Sequence, residues 1–152
     1  MNDKWDERFW SLAAFVAEWS KDPKAKVGAV ITSKKAGAIA LGYNGFPAGV
    51  EDSAERLEST DIKLDMIIHA EQNALLIAGR AAEAGDLFVC GKPICSRCAG
   101  LIIQAGICRV VAEDPEADKT SKWYETGKRA VEMLTEAGVK VDIKAAAGAT
   151  SA

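Results

Sequence analysis

Hydrophobic residues near the start of the chain recur with the period of an α-helix. Their spacings of four, three, four and three residues place them on one helical face: Trp5, Phe9, Leu12, Val16 and Trp19. We therefore predict a first helix. A stripe of this kind is more often a packing surface than a cofactor-binding surface, so we expect it to face the core or a neighbouring subunit.

Two β-rich runs follow this helix, KVGAVITS at 26–33 and AGAIALGYN at 36–44. The polar, glycine-containing stretch KKAG at their junction predicts a hairpin of two antiparallel strands. Residues 45–65 are rich in Gly, Pro, Asp, Ser and Glu and show no sustained periodicity. This segment predicts a long loop, with or without one helical turn.

The rest of the chain alternates between helical and β patterns. Such alternation implies crossovers that pack on a sheet, so we predict an α/β fold, a three-layer α/β/α sandwich with a mixed five-stranded sheet. There is no internal repeat, and we expect one domain over 1–144 and a flexible tail over 145–152. The predicted helices cover about 69–82, 96–105 and 120–137, and the predicted strands cover 86–90, 107–112 and 139–143.

The composition is that of an ordinary globular protein. Of the 152 residues, 49% are hydrophobic and 27% charged, which suits one well-packed core. The net charge of -3 and the lack of a dense lysine and arginine run argue against a partner such as long DNA or RNA. Neither a signal-peptide pattern nor a window of roughly 20 apolar residues is present, so we expect a cytoplasmic protein without a membrane partner.

Two short motifs contain residues that can bind a metal ion. The only histidine of the chain stands in His69-Ala70-Glu71, and Cys95 and Cys98 stand three apart at a predicted helix start. Taken alone, such a histidine is more often a hydrogen-bonded core residue, and a Cys-x-x-Cys pair can equally be a redox site. The two motifs together, each at a helix start, are much rarer and favour a metal site.

The spacing of His69 and Glu71 is informative only at the first turn of a helix. In mid-helix, side chains two residues apart diverge by about 200°, whereas at the N-terminus both can bend toward a point on the helix axis. If both helices begin beside one point, His69, Cys95 and Cys98 supply three zinc ligands and leave a fourth position for water, as in catalytic sites. Glu71 is then the candidate for proton transfer.

These motifs resemble the signature of the zinc-dependent nucleoside and nucleotide deaminase superfamily, His-x-Glu with Pro-Cys-x-x-Cys. Here one extra residue, Ile94, stands between Pro93 and Cys95. The stretches SKDPKAKVGAVI, GYNGFPAGVED, HAEQNA, IIQAGI and EAGVKV are similar, in order and spacing, to the deoxycytidylate deaminase branch. The resemblance covers roughly residues 5–143.

The resemblance implies a reaction and further site residues. We expect a cytidine deaminase-like fold, a Zn²⁺ cofactor, a homo-oligomer and a small-molecule substrate, dCMP, which is hydrolysed to dUMP and ammonia. By resemblance, Asn44 contacts the sugar or base, Ala70 offers its backbone to the pyrimidine carbonyl, and Tyr43 lines the pocket. A simple turn at Asn44-Gly45 is the alternative interpretation, because both residues tolerate positive φ.

The sequence leaves open the roles of three lysines and of the two cysteines outside the Cys-x-x-Cys motif. Lys26, together with Lys24 and Lys92, is a candidate for binding a 5'-phosphate, although lysines near loops are more often simply solvated. Cys90 and Cys108 fall within predicted strands. We expect both to pack in the core rather than to form a second metal site.

Alternatives to dCMP deamination also remain open. The motifs do not fix the loops that select the substrate, which could be cytosine, guanine, cytidine or an antibiotic nucleoside. A tRNA or polynucleotide editing deaminase is disfavoured by the acidic net charge. A non-catalytic zinc-binding regulatory module is disfavoured by the presence of Glu71, which a structural zinc site does not need.

Overall fold

A mixed five-stranded sheet lies between two helical layers. The structure, a computed structural model, describes residues 3–34 and 39–145. The strands are β1 (Gly28–Thr32), β2 (Ile39–Tyr43), β3 (Asp86–Cys90), β4 (Arg109–Glu113) and β5 (Lys140–Lys144). The helices are α1 (Asp3–Ala17), α2 (Ala54–Glu58), α3 (Thr60–Met66), α4 (Ala70–Ala78), α5 (Ser96–Gln104) and α6 (Trp123–Glu136), with single turns of 3₁₀-helix at Gly79–Ala82 and Pro115–Ala117. The predicted three-layer α/β/α sandwich is confirmed.

The strands are ordered β2-β1-β3-β4-β5 across the sheet. Strand β1 runs antiparallel to β2 and to β3, with Gly28 opposite Tyr43 and opposite Cys90. The predicted hairpin pairing of β1 with β2 is therefore confirmed. Strands β3, β4 and β5 are parallel, and α5 and α6 make the crossovers that parallel neighbours require.

Both faces of the sheet are buried, which explains the nearly continuous apolar runs of β3 and β4. Helix α1 covers one face, and the buried cluster there consists of Trp10, Ala13, Val30, Phe88, Cys90 and Val111. The other face packs under α4, α5 and α6, where the largest fully buried side chains are Ile31, Leu87, Val89, Val110, Ile102 and Leu134. Cys90 thus packs in the core, as predicted.

Two glycines let helices approach the sheet closely. A Cβ at Gly28 of β1 would lie 2.0 Å from the carbonyl oxygen of Ala13, so α1 can pack at this depth only over a glycine. On the opposite face, a Cβ at Gly42 of β2 would lie 2.3 Å from the carbonyl oxygen of Ala70. Gly42 therefore sets how deeply the first turn of α4 sits.

A buried arginine joins the sheet to α1 at the edge where the parallel strands begin. Arg109, at the start of β4, donates to Asp6 of α1 at 2.5 Å. It also donates to Asp142 of β5 at 2.6 Å and to Asp86 of β3 at 3.5 Å. These carboxylates, Asp6 foremost, raise the pKa of the guanidinium. The permanently charged group thereby holds four elements together.

The segment predicted as a long loop contains two short helices, α2 and α3. Ser53 caps α2 by accepting a hydrogen bond from the Arg56 backbone N–H at 3.4 Å. Lys63 of α3 is buried and makes an ion pair with Asp22. Tertiary contacts therefore stabilise two helices that are too short to be stable alone.

Two further predictions differ from the structure. Trp19 lies beyond the end of α1 and is 47% exposed, because the helix stops at Ala17. Cys108 is exposed rather than buried, which corrects the prediction of core packing. Strand β4 begins two residues later than predicted, and the Cys108 thiol lies against the carbonyl oxygens of Ala84 and Gly85 at the rim of the sheet.

The predicted tail at 145–152 lies, apart from exposed Ala145, outside the described residues. Within the part of the chain that the structure describes, no helix has the length and hydropathy needed to cross a bilayer.

Candidate active site

Two helices begin at the same edge of the sheet and bring the two sequence motifs together. His69 is the N-cap residue of α4, and Cys95 is the N-cap residue of α5. The Gln72 side chain accepts the His69 backbone N–H at 2.8 Å, and Thr126 of α6 accepts the Ser96 backbone N–H at 2.9 Å. A capping box therefore holds the start of α4, and a contact with α6 holds the start of α5.

The ligand atoms predicted from the sequence converge on one point. The His69 Nδ1 lies 3.3 Å from the Cys98 Sγ and 3.6 Å from the Cys95 Sγ. All three ligand atoms lie within 4.8 Å of one another, and this is the only such group among the described residues. Ordinary Zn–N and Zn–S bond lengths in a tetrahedron separate nitrogen from sulfur by about 3.6 Å. His69, Cys95 and Cys98 are thus positioned to bind zinc.

The electrostatics of this group suit a divalent cation. Hydrogen bonds from Cys98 and His69 lower the pKa of the Cys95 thiol to about 4, so Cys95 is a thiolate at neutral pH. The hydrogen bond to Cys95, with burial, raises the pKa of Cys98, and the hydrogen bond to Cys95 raises the pKa of His69. A cation would replace the protons that these groups share, since zinc binds thiolates and neutral imidazole.

Glu71, in the first turn of α4, is buried, with only 3% of its surface exposed. Burial raises the pKa of its carboxyl group to about 7, against the opposing effect of His69. Glu71 is not a member of the ligand group, yet it is close enough to influence the pKa of Cys98. The arrangement places a titratable carboxylate beside the ligands and not among them.

A cavity opens in front of His69 and Glu71. Its walls are formed by the loop before β1, the end of β2, helix α3, and the first turns of α4 and α6. Its lining residues are Asp22, Ala25, Val27, Asn44, Lys63, Leu64, Ile67, His69, Ala70, Glu71, Lys92, Pro93, Lys122 and Trp123. This lining mixes apolar side chains with polar and charged ones, as small-molecule sites do.

Asn44 lies in the cavity wall and holds the loop before β1 in place. Its side-chain oxygen accepts the Val27 backbone N–H at 2.9 Å, and its amide donates to the Ala25 carbonyl oxygen at 2.7 Å. Gly45 pairs with Ile68 in an isolated antiparallel bridge, and neither Asn44 nor Gly45 has a positive φ. The alternative of a simple turn at this position is therefore wrong.

A buried ion pair closes the side of the cavity. Lys63 and Asp22, 5% and 3% exposed, approach to 3.0 Å. The Asp22 carboxylate also accepts the backbone N–H groups of Lys24 and Ala25, at 2.8 Å and 3.1 Å. These hydrogen bonds lower the pKa of Asp22 against the effect of burial. The pair fixes α3 against the loop before β1.

The other residues predicted to bind substrate have different surroundings. Ala70, the first residue of α4, is fully buried and lines the cavity, and Lys92 lines it as well. Tyr43 is exposed and packs edge-on against Trp19, and Lys26 makes an ion pair with Glu18 at 3.5 Å. Neither belongs to the described cavity lining, so their roles remain predictions.

A family model for the cytidine and deoxycytidylate deaminase zinc-binding region matches residues 3–113. The chain belongs to this deaminase family. The predicted enzyme class, a zinc-dependent aminohydrolase, is thereby confirmed, as is the zinc cofactor.

Relatives of this deaminase include named enzymes. It is 43% identical over 141 residues to a protein of Aliivibrio fischeri named "Uncharacterized deaminase in luxG 3'region", covering 93% of this chain and 94% of that one. It is 38% identical over 114 residues to mouse deoxycytidylate deaminase, covering 71% and 64%. The dCMP deaminase of cyanophage S-TIM5, in complex with dCMP and dUMP, matches with a TM-score of 0.75 and 25% identity over 95% and 99%.

The extra residue in the second motif packs away from the substrate side of the deaminase. Ile94 is 4% exposed and belongs to the core under α5 and α6, whereas the preceding Pro93 lines the cavity. Gly91, with a φ of +115°, begins this loop and donates its N–H to Glu113 at 2.8 Å. The insertion therefore anchors the loop that carries Cys95.

The cavity residues of the deaminase that were not predicted from the sequence include Lys63, Lys122 and Trp123. Lys63 lies in a segment whose composition indicated a loop, so no signal marked it. Lys122 and Trp123 stand at the start of a predicted helix. Because helix starts that follow parallel strands often border ligand sites, this position was a usable signal.

The ligand assignment predicts that the deaminase binds about one zinc ion per chain. Replacing Cys95 or Cys98 with Ala removes a ligand, so we expect most of the zinc to be lost. Cys108→Ala is the matched control, because that thiol is exposed and outside the ligand group. Zinc content is measured by mass spectrometry, with circular dichroism to check the fold. Full zinc content in both ligand variants would contradict the assignment.

Proposed function

We propose that this protein catalyses the hydrolytic deamination of dCMP to dUMP and ammonia. The observation that carries the proposal is the combination of three ligand atoms with a buried, non-ligating carboxylate at the end of one cavity. A purely structural zinc site has four protein ligands and no such carboxylate. Deoxycytidylate deaminases among the relatives, and the cyanophage enzyme with dCMP and dUMP, support the choice of substrate.

The reaction needs one nucleophile and several proton transfers. Zinc held by His69, Cys95 and Cys98 would supply a Lewis acid that makes water nucleophilic near neutral pH. Water oxygen adds to C4 of the cytosine ring, the bond from C4 to the exocyclic nitrogen breaks, and that nitrogen leaves as ammonia. Glu71 takes the two protons of the attacking water in turn and passes the first to ring N3 and the second to the departing amine, while the added oxygen becomes the C4 carbonyl. A pKa of about 7 suits a group that must do both.

Substrate contacts in this proposal come from the cavity wall. Asn44 borders the cavity beside Ala70, so these residues can meet the sugar and the pyrimidine carbonyl. The N–H groups in the first turn of a helix lack acceptors within the helix, which makes the backbone of Ala70 a suitable donor. Tyr43 and Lys26 stay predictions of lower weight, because both lie outside the described lining.

The cellular compartment and the domain organisation of the enzyme belong to the same proposal. A reducing compartment such as the cytoplasm suits a site that requires two reduced cysteines. Residues 1–144 are proposed to form one catalytic domain.

Glu71→Gln tests the proton-transfer role. General acid and base groups typically contribute about 10² to 10⁴ in rate, so we expect a loss of that size in kcat. The variant should keep its zinc and its melting temperature, because a neutral amide of the same shape replaces a carboxyl that burial disfavours in its charged form. Ammonia release, zinc content and thermal unfolding are measured together.

Glu136→Gln, at an exposed position of α6, is the matched control and should be fully active. If Glu71→Gln retained more than about a tenth of the wild-type activity, Glu71 would be removed from the mechanism.

The substrate proposal predicts that kcat/KM is much higher for dCMP than for deoxycytidine. Lys92 and Lys122 both line the cavity and can meet a 5'-phosphate. Charged hydrogen bonds are typically about 1.5–3 kcal/mol each, so two of them give roughly a hundredfold preference or more. Lys92→Met and Lys122→Met should lower kcat/KM for dCMP and leave that for deoxycytidine nearly unchanged.

Lys24→Met is the control, because this lysine is exposed and lies against the Glu58 carbonyl oxygen, outside the described cavity lining. Lys26→Met tests the residue predicted from the sequence. Equal kcat/KM for dCMP and deoxycytidine, or ammonia release from guanine or cytosine alone, would overturn the nucleotide substrate and leave the deaminase class intact.

Self-association is also proposed, with a second copy covering the outer face of α4. Leu76 and Ile77 are 73% and 68% exposed there, and large aliphatic side chains at adjacent exposed positions suit a subunit contact. Sedimentation velocity should show an oligomer for the wild type and a shift to monomer for the double variant Leu76→Lys, Ile77→Lys. A double variant at exposed Glu132 and Glu136 is the control. A wild-type monomer at all concentrations would refute this proposal.

A further inference from the structure

Trp123 is a cavity residue that the proton-transfer chemistry does not use. It is the first residue of α6, is partly buried, and packs against the core on one side while lining the cavity on the other. Its ring lies edge-on to the ring of His69, with a centroid distance of 5.9 Å and an interplanar angle of 64°. Trp123 also borders the adjoining cleft that contains Cys95. The side chain therefore stands beside the reacting end of the cavity.

Contacts between α5 and α6 hold this tryptophan in register with the zinc ligands. Thr126, one turn further along α6, accepts the Ser96 backbone N–H at 2.9 Å. A Cβ at Gly127 would lie 2.5 Å from the Pro115 side chain, so α6 can approach this closely only with a glycine there. The Trp123 backbone N–H is itself bound by Ser121 at 3.1 Å. The ring is thus placed by the same contacts that support the start of α5.

Trp123 is chemically distinct from the rest of the wall. Apart from His69, it is the only residue with an aromatic ring among the described residues that line the cavity. The apolar neighbours Ala25, Val27, Leu64 and Ile67 are aliphatic. Planar bases gain affinity by stacking on aromatic side chains, because every base offers a flat π-surface. An aromatic side chain beside the reacting end of the cavity therefore suits a planar heterocyclic ligand.

We propose that Trp123 is a substrate-binding residue that contacts the flat ring of the substrate base and holds its C4 edge toward His69 and Glu71. This inference rests on the proposed function and adds a residue to it. The contact is made with the planar base before reaction. Attack at C4 makes that carbon tetrahedral and reduces the flat surface, so the contact stabilises the bound substrate at least as well as the transition state. Loss of Trp123 should accordingly raise KM more than it lowers kcat.

Two substitutions separate aromatic stacking from simple filling of space. Trp123→Leu keeps an apolar side chain and removes the ring, and we expect KM for the pyrimidine nucleotide to rise about 5- to 100-fold, the range measured for base stacking. Trp123→Phe keeps a smaller ring and should recover most of the affinity. Kcat should change by less than about threefold in both variants. Trp19→Phe is the control, since that ring is exposed and outside the described cavity lining.

Zinc content and circular dichroism are measured on every variant, because Trp123 also contacts His69. An unchanged KM in Trp123→Leu overturns the proposal. A fall in kcat with unchanged KM and lost zinc also overturns it, and assigns Trp123 a supporting role for His69 instead. A rise in KM that Trp123→Phe does not reverse excludes aromatic stacking and equally overturns it.

Fluorescence distinguishes failure of this proposal from failure of the proposed function. Zinc-loaded wild type and Trp123→Phe are titrated with dUMP, cytosine and guanine. Saturable quenching that is present in wild type and absent in Trp123→Phe supports the base contact, whichever compound causes it and whether or not dCMP is deaminated. No Trp123-dependent quenching with any of these compounds overturns the contact, even if dCMP proves to be the substrate.

Discussion

The site depends on one geometric constraint: the first turns of α4 and α5 must point at the same spot. Gly42 lets the start of α4 sink against β2, and the residue that it contacts, Ala70, lies between His69 and Glu71. The bond between Ser96 and Thr126 holds the start of α5 from the opposite side. If either helix start moved by the width of a methyl group, three ligand atoms could no longer share one ion. The Glu71 carboxylate would be displaced with them.

A second set of contacts shapes the space in front of that spot. The side chains of Asn44 and Asp22 make hydrogen bonds with the backbone of the loop before β1. Lys63 forms an ion pair with Asp22, and both of these side chains are buried. Removing one member would leave a buried polar group or charge unpaired, which is far more costly than replacing both. The wall is therefore built to be rigid, and a rigid wall can discriminate between substrates that differ by one group.

Sequence patterns predicted the sheet, the main helices and the ligand set, because each is encoded locally. The apolar periodicity near the N-terminus predicted α1, and the β-branched runs predicted strands. The His-x-Glu and Cys-x-x-Cys motifs mark helix starts, which an α/β topology brings to one edge of the sheet. What could not be predicted depends on distant partners. Helices α2 and α3 are stabilised by a cap and by the Lys63 ion pair, and neither leaves a periodic signal. The exposure of Cys108 depends on strand β4 beginning two residues later than its apolar context indicated.

The arginine that joins four elements lies at the far edge of the sheet from the reacting centre. Its partners Asp6, Asp86 and Asp142 come from α1, β3 and β5, and the pKa of Asp142 is held below its usual value, chiefly by Arg109 once burial is offset. A carboxyl with a lowered pKa contributes stability at neutral pH that disappears as the pH falls through that pKa, and Arg109 then loses one of its three carboxylate partners. Acid would thus loosen the end of the molecule that performs no chemistry. The charge cluster around the arginine keeps the scaffold folded. The sequences of the substrate-facing loops can therefore change without unfolding it.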